Sequence, residues 1–206
     1  MKFNPILYDL GMAPLERGWL SRWRREAMRL VETVAGAGPP RILDVGVGTG
    51  ANIGLYPPGA EVTAIDLDPG MLARARERAA RRDGPIDLRE MDVMQLDFPD
   101  SSFDAALTTL VFCEVADPVA GLRELHRVLK PGGRLVMVEH TLTGRPLVDR
   151  ALAGLTTLTR AGGEHFDRDT VRNVREAGFE AVEARRLGLL VFHMISARRP
   201  AASGQG

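Results

Sequence analysis

Short apolar runs alternate along most of this chain with stretches whose apolar residues recur every three or four positions. Ile42–Val45, Val62–Asp66, Asp87–Met91, Phe103–Leu110 and Arg134–His140 are brief, rich in branched residues and bounded by glycine, proline or aspartate, which predicts buried strands. Between them the period becomes helical. Pro69–Arg82 has a proline near its first turn, and Pro118–Lys130 runs into Pro131-Gly132-Gly133. Asp167–Ala177 reads as a further helix with Gly178 as its C-terminal cap. Ala181–Leu187 and Leu190–Ala197 flank Gly188 as an antiparallel hairpin. Alternation of this kind predicts an α/β fold, a mostly parallel sheet with helices on both faces.

Two stretches stand outside the alternation. Within residues 1–35, Leu15, Trp19, Trp23, Ala27, Leu30 and Val34 form an apolar stripe, with Arg17, Arg22, Arg24, Arg25 and Arg29 opposite the tryptophans. Residues 141–165 repeat the pattern with Leu147, Val148, Ala151, Leu152, Leu155 and Leu158. Both are expected to be helical covers over the carboxyl ends of the strands, where open α/β sheets bind ligands. The expected organisation is one domain over 1–206: an N-terminal cover (1–38), a ligand-binding core (39–140), a lid insertion (141–166), and a C-terminal helix and hairpin (167–199).

Composition narrows the function. Lys and Arg number 27, as do Asp and Glu, so no net charge recommends a nucleic-acid partner. The single cysteine, Cys113, excludes an intramolecular disulfide and a cysteine-built metal site. No apolar run has the length of a membrane span, and Met1-Lys2-Phe3-Asn4-Pro5 lacks the layout of a signal peptide. A cytoplasmic protein without a metal is the expectation.

The chemistry concentrates at Leu43-Asp44-Val45-Gly46-Val47-Gly48-Thr49-Gly50. Glycines in that turn let a ligand lie directly against the main chain. A carboxylate at the end of a buried strand is costly unless something pairs with it, and a cationic or amine-bearing ligand would. Asp66 ends the second strand twenty residues after Gly46, a spacing that suits a ribose diol. Leu67 is placed to lie on an adenine face, and Asp92 to accept from an adenine amino group. Helix capping or turn formation is the alternative for both aspartates. Gly46-x-Gly48-x-x-Ala51 also satisfies a relaxed dinucleotide fingerprint. Asp44 beside a pyrophosphate, the otherwise idle Asp92 and the absence of room for a second domain weigh against that reading.

These residues, with Ala64–Leu72, Asp97–Asp104 and Leu129–Gly133, resemble the successive signatures of class I S-adenosylmethionine-dependent methyltransferases. The resemblance implies a Rossmann-like, seven-stranded sheet with an antiparallel last strand, and S-adenosyl-L-methionine as cofactor. It implies that Asp44, Gly46, Gly48, Gly50 and Asn52 hold the methionine part and Asp66 the ribose. Leu67, Asp92 and Val93 would lie at the adenine, with Thr109 and Leu110 near the sulfonium. In finer detail Gly50-Ala51-Asn52, Tyr56–Gly59, Thr109–Cys113 and Glu139-His140 are similar to membrane-associated thiol methyltransferases and their bacterial relatives. Quinone and phospholipid methyltransferases share the core.

The acceptor implied is small and hydrophobic, with a thiol as first expectation. A phospholipid reached by docking residues 14–34 on a membrane, or a quinone or phenol, is the alternative, and a cofactor-binding module without turnover ranks below both. Nothing recommends a nucleic-acid acceptor. Methyl transfer from a sulfonium needs no covalent intermediate, and a base only where the acceptor keeps its proton. His140, ending the fifth strand, is the first candidate base and His165 in the lid the second. Tyr8 is a third candidate, resembling an N-terminal tyrosine that closes over the cofactor in related enzymes. Strand alternation sends Glu139 and His140 to opposite faces, so they are not expected to form a dyad. His126, His193 and Cys113 read as structural.

Overall fold

The computed structural model describes residues 4–33, 38–143, 145–159, 168–188 and 191–201. At its centre β1 (Arg41–Val45) pairs in parallel with β2 (Glu61–Asp66) on one side and β4 (Phe103–Thr109) on the other. β3 (Ile86–Glu90) extends the sheet beyond β2, and β5 (Leu129–His140) beyond β4. β7 (Phe192–Arg198) lies antiparallel to both β5 and β6 (Glu180–Leu187), completing a seven-stranded sheet of order β3-β2-β1-β4-β5-β7-β6. The chain leaves β1 towards opposite edges of the sheet, so a crevice opens at the carboxyl ends of β1 and β4.

Central strands are mainly apolar because both of their faces are covered. On one face Ile42, Ala64, Leu107, Val136 and Val138 pack against Trp23, Ala27 and Val31 of α2 (Ser21–Glu32) and Leu72 and Ala75 of α3 (Pro69–Ala79). On the other, Leu43, Val45, Ile65, Ala106 and Met137 meet Leu122 and Leu125 of α4 (Pro118–Val128) and Val174 of α6 (Thr170–Glu176). The period-two alternation divides the sheet residues between the two layers.

Several boundaries differ from expectation for local reasons. α4 stops at Val128 and β5 starts at once, pairing Leu129 with Phe103 before the register shifts to Arg134 with Ala105. Pro131-Gly132-Gly133 is thus an irregularity inside β5 rather than a break before it. β4 ends at Thr109 because Leu110 turns into the left-handed region, at φ 59°. α3 ends at Ala79, and α6 starts at Thr170 with Asp169 as its cap. Gly178, at φ 97°, ends α6 as expected. The starting residues of the expected last helix and last strand, Asp167 and Leu190, lie outside the described residues, as does Val34.

The N-terminal cover is where the apolar pattern misled most. α1 (Pro5–Leu15), capped by Asn4, passes through a π-helical turn at Glu16–Leu20 into α2. A π turn accommodates an extra residue and rotates everything before it about the axis. The predicted stripe therefore splits: Trp23 is 8% exposed, whereas Leu15 and Trp19 are 43% and 54% exposed. Leu20, Met28 and Val31 fill the core in their place. No residue of α1 is buried. The stretch expected to form a lid contains α5 (Pro146–Thr159), with Leu152 buried and Leu147 exposed.

Candidate active site

The loop after β1 wraps the end of β2: the Gly46 and Val47 amides both donate to the Ile65 carbonyl, at 2.8 and 3.0 Å. Gly46 and Gly48 have positive φ, at 67° and 56°. A Cβ on Gly46 would lie 2.3 Å from Val111 Cγ2, whereas one on Gly48 would meet nothing within 4 Å. The Gly48 backbone therefore borders open space. Its amide donates to Asp66 Oδ2 at 2.7 Å, and the Asp68 amide to Asp66 Oδ1 at 2.9 Å. Each carboxylate oxygen still has acceptor capacity for a diol. Burial raises the Asp66 carboxyl, and the Asp68 and Gly48 amides oppose that shift.

Asp44 lies fully buried beneath this loop. Its Oδ2 accepts from Tyr56 Oη at 2.5 Å and Asn52 Nδ2 at 3.0 Å, while Oδ1 has no partner among the described residues. Burial raises its pKa to about 6 against the opposing effect of those two hydrogen bonds. The Asn52 amide oxygen accepts from the Arg24 guanidinium at 2.9 Å, and Arg24 is tied in turn to Glu16 at 2.9 Å. A chain of polar contacts thus runs from the floor of the crevice into the N-terminal cover.

The turn after β4 forms the adjoining wall. Thr109 Oγ1 is buried without a partner among the described residues, and its residue lines the cavity. Leu110 donates its amide to the Val138 carbonyl. Beneath the turn lies Glu139, fully buried, accepting from Thr108 Oγ1 at 2.9 Å and from the Val111 and Phe112 amides at 3.0 and 3.3 Å. Its pKa is raised to about 7 by burial, against the pull of those donors and Arg168.

A cavity of about 380 Å³ lies between these walls and α1. Gly46, Gly48, Thr49 and Thr109 line its floor, and Tyr8, Met12, Arg17 and Arg24 its cover. α1 is fastened across it by Asp9. Asp9 Oδ1 accepts from Thr49 Oγ1 at 2.6 Å, and Oδ2 from Arg78 at 2.8 Å with Arg74 at 3.5 Å.

The structure brings Gly46, Gly48, Thr109 and Tyr8 onto this cavity, with Gly50, Asn52 and Asp44 directly beneath or beside it. Asp66 and Leu67 stand at the neighbouring end of β2, Leu67 exposed. Asp92 forms a turn, its carboxylate accepting from the Met94 amide at 2.8 Å, and Val93 is buried against α4. His140 does not line the cavity. Its ring packs on Phe192 at 4.5 Å, and burial lowers its pKa to about 4. Glu139 and His140 do face opposite sides of the sheet. His126 packs edge-on against Phe179, and His193 is buried in β7. His165 and Phe166 lie outside the described residues.

Sequence reasoning left Glu139 without a role and missed Asp9, Arg24 and Tyr56. Glu139 carried a readable signal, the same one that exposed Asp44: a carboxylate directly after an apolar run, here Leu135–Val138. Asp9, Arg24 and Tyr56 reach Thr49, Arg78, Asn52 and Asp44 across separations of 12 to 69 residues, contacts that only the assembled fold creates.

The residues present suit a sulfonium nucleoside with an amino-acid tail. A buried, unpartnered Asp44 oxygen awaits a donor, a glycine backbone lies bare, and a guanidinium stands at the same end. The methyltransferase domain family matches residues 43–137. A demethylmenaquinone methyltransferase of Clavibacter sepedonicus is 35% identical over 95% of this chain and 91% of its own length. A phosphatidylethanolamine N-methyltransferase of Cereibacter sphaeroides is 38% identical over 69% of this chain and 71% of its own. The rat thiol S-methyltransferase TMT1B is 35% identical over 69% of this chain and 61% of its own. Among solved structures, a methyltransferase from Methanosarcina mazei superposes with a TM-score of 0.66, at 22% identity, over 84% of this chain and 98% of that one. By sheet order, by the carboxylates at its strand ends and by these alignments, the chain belongs to the S-adenosylmethionine-dependent methyltransferases.

Proposed function

We propose that this methyltransferase acts on a small hydrophobic acceptor taken from a lipid phase, with a demethylmenaquinol-type quinol as the first acceptor to test and a hydrophobic thiol as the second. The observation that carries this reading is the two-sidedness of α1. One side, through Tyr8, Met12 and Ala13, walls the cavity, and the other presents Ile6, Leu7 and Leu10 to the exterior. Exposed arginines at 17, 22, 25 and 29 continue the surface along the π turn and α2, a combination that suits an anionic lipid face. No helix among the described residues is long and apolar enough to cross a membrane. The quinol stands first because the relative aligned over nearly the whole chain bears that name. The thiol stands second because no histidine is among the described residues lining the cavity, and thiols lose a proton near neutrality unaided.

When bound, the cofactor supplies a methyl group on a positively charged sulfur, already activated for in-line displacement. The chain's own work is positional. Asp44, with its unpartnered Oδ1, would hold the ammonium of the methionine part, Arg24 its carboxylate, and Asp66 the ribose. Asp92 and Val93, with Leu67, serve the adenine end. Thr109, Leu110 and the α1 residues Tyr8 and Met12 enclose the reacting end and exclude water. Burial raises the Tyr8 phenol, which therefore stays protonated at neutral pH. We place Tyr8 first among the candidates for contact with the acceptor, ahead of His140 and His165.

Isotope transfer from labelled S-adenosylmethionine to a demethylmenaquinol analogue, an aryl thiol and phosphatidylethanolamine vesicles tests the reading. Uptake by the quinol or thiol supports it. Uptake by the phospholipid alone replaces it with the phospholipid alternative, and tight S-adenosylhomocysteine binding without uptake by any of the three overturns it.

A further inference from the structure

Glu139 is a buried carboxylate for which the binding roles above have no use. Burying an ion is expensive, and an apolar residue in its place would generally stabilise the fold. What it does is visible in its partners. Leu110 leaves β4 in a left-handed conformation that a branched side chain adopts only under constraint. The two amides that follow, Val111 and Phe112, both point down onto the Glu139 carboxylate, and Thr108 donates to it from β4. From the other side Arg168 donates to the Phe112 and Val115 carbonyls at 2.8 and 2.6 Å. The turn at 110–113 is therefore held by an anion below its amides and a cation on its carbonyls.

That turn sets two parts of the cofactor cleft. It fixes Thr109, a residue of the cavity wall whose buried hydroxyl has no partner among the described residues. It also presses the Val111 side chain over Gly46, close enough that a Cβ there would overlap it unless Val111 shifted.

We propose that Glu139 is a positioning residue of the methyl-transfer site, which with Arg168 clamps the 110–113 turn so that Thr109 stays on the cavity wall and Val111 braces Gly46 of the cofactor-binding loop. The inference rests on the cofactor site and is independent of which acceptor is used. The charged and titratable neighbours of Glu139 are Arg168 and, across the β5–β7 ladder, His193. Neither offers it a hydrogen bond that would replace the turn's amides.

The single cysteine reports on the turn directly. Cys113 lies within it, buried, its thiol 3.8 Å from the Leu110 carbonyl. Two measurements on the full chain decide the matter at a fixed pH of about 8: the rate of Cys113 modification by Ellman's reagent, and S-adenosylhomocysteine affinity by calorimetry. In Glu139→Gln the charge is lost, one neutral oxygen is left to accept from Thr108 and the Val111 and Phe112 amides, and the amide N–H₂ meets the Val111 donor where Oε2 accepted it. The expected result is roughly tenfold faster labelling and roughly tenfold weaker binding in a variant that remains folded by circular dichroism. Arg168→Lys, acting from the opposite side of the turn, is expected to produce the same pair of changes. Parent-like labelling and affinity in a folded Glu139→Gln overturns the proposal. Should Glu139→Gln not fold, parent-like labelling in Arg168→Lys overturns it equally. Failure of every acceptor in the transfer assay leaves both readouts intact, so the two hypotheses fail separately.

Discussion

At the tip of β1 a wholly buried carboxylate is tied to Asn52 and Tyr56, and two backbone amides of the following loop share one carbonyl. Across the same cavity α1 buries none of its residues, and its Asp9 is tied to Thr49, Arg74 and Arg78. The floor is thus fixed by packing and by hydrogen bonds shielded from water. The cover is held by partly exposed charges that water and salt can compete for. The contrast assigns different work to the two halves. The floor defines what binds, and the cover governs when it enters and leaves.

The largest effects should come from breaking the floor, and two glycines separate its stability from its function. Gly46→Ala combines a left-handed backbone with an overlap against Val111. A cost of about 2–4 kcal/mol in denaturant unfolding is expected, together with loss of S-adenosylhomocysteine binding. Gly48→Ala meets no protein atom, so its cost is the backbone term alone, about 1–2 kcal/mol. Its methyl group nonetheless projects into the space where the cofactor would lie, and affinity should fall at least as far as in Gly46→Ala. Parent-like affinity in a folded Gly48→Ala would remove this loop from the binding site.

The same contrast decided what the sequence disclosed. Strand, turn and carboxylate at Leu43–Gly50 are local, and their chemistry follows from neighbours along the chain. The mostly parallel, seven-stranded sheet and its antiparallel last strand followed from alternation and the Gly188 hairpin together with the family resemblance, whereas the strand order is read from the fold. The cover was legible only as an apolar period, and a period presumes a regular helix. One π turn at Glu16–Leu20 rotated α1 relative to α2, exposed Leu15 and Trp19, and brought Glu16 to Arg24. Nothing in the residue pattern marks that turn. Likewise the Asp9–Arg78 pair joins residues far apart in the chain, and only the assembled fold brings them together.

A smaller effect lies in the protons of the floor. Asp44 and Glu139 are raised by burial from ordinary carboxyl values to about 6 and about 7. The folded protein therefore holds these protons more tightly than the unfolded chain. Their contribution to stability is complete below about pH 4 and is lost as pH rises through 6 and 7. Binding of an ammonium group at Asp44 favours its ionised form. S-Adenosylhomocysteine binding near pH 5.5 should therefore release a substantial fraction of one proton from this carboxyl, about one at most. Calorimetry in buffers of different ionisation heat measures it, and Asp44→Asn should abolish it. Proton uptake at that carboxyl would contradict the assigned contact.

The latch comes next, and it should act on rates rather than stability. Asp9 and its arginines are partly exposed, so Asp9→Ala should change unfolding stability by no more than about 1 kcal/mol. Loosening α1 should instead speed release of S-adenosylhomocysteine by roughly tenfold and remove most of the salt dependence of that rate. Stopped-flow fluorescence of Trp19 and Trp23 can follow it. An unchanged release rate would mean that α1 is held by contacts other than this latch.

The smallest structural effect belongs to the outer face of α1, and it separates surface attachment from folding. Leu7 and Leu10 are 65% and 67% exposed. Replacing both with serine removes little packing, and stability should stay within about 0.5 kcal/mol per site. If α1 rests on lipid, the same pair contributes apolar area to the bilayer contact, and flotation with anionic vesicles should fall several-fold in the double variant. S-Adenosylhomocysteine affinity in solution should not move, because the inner face of the helix is untouched. Equal flotation of parent and variant would assign the apolar outer face another purpose and leave the arginines of the π turn and α2 as the remaining lipid contact. Loss of cofactor affinity in the same variant would show that the two faces of α1 are not independent, and that the cover is more closely coupled to the floor than its lack of buried residues implies.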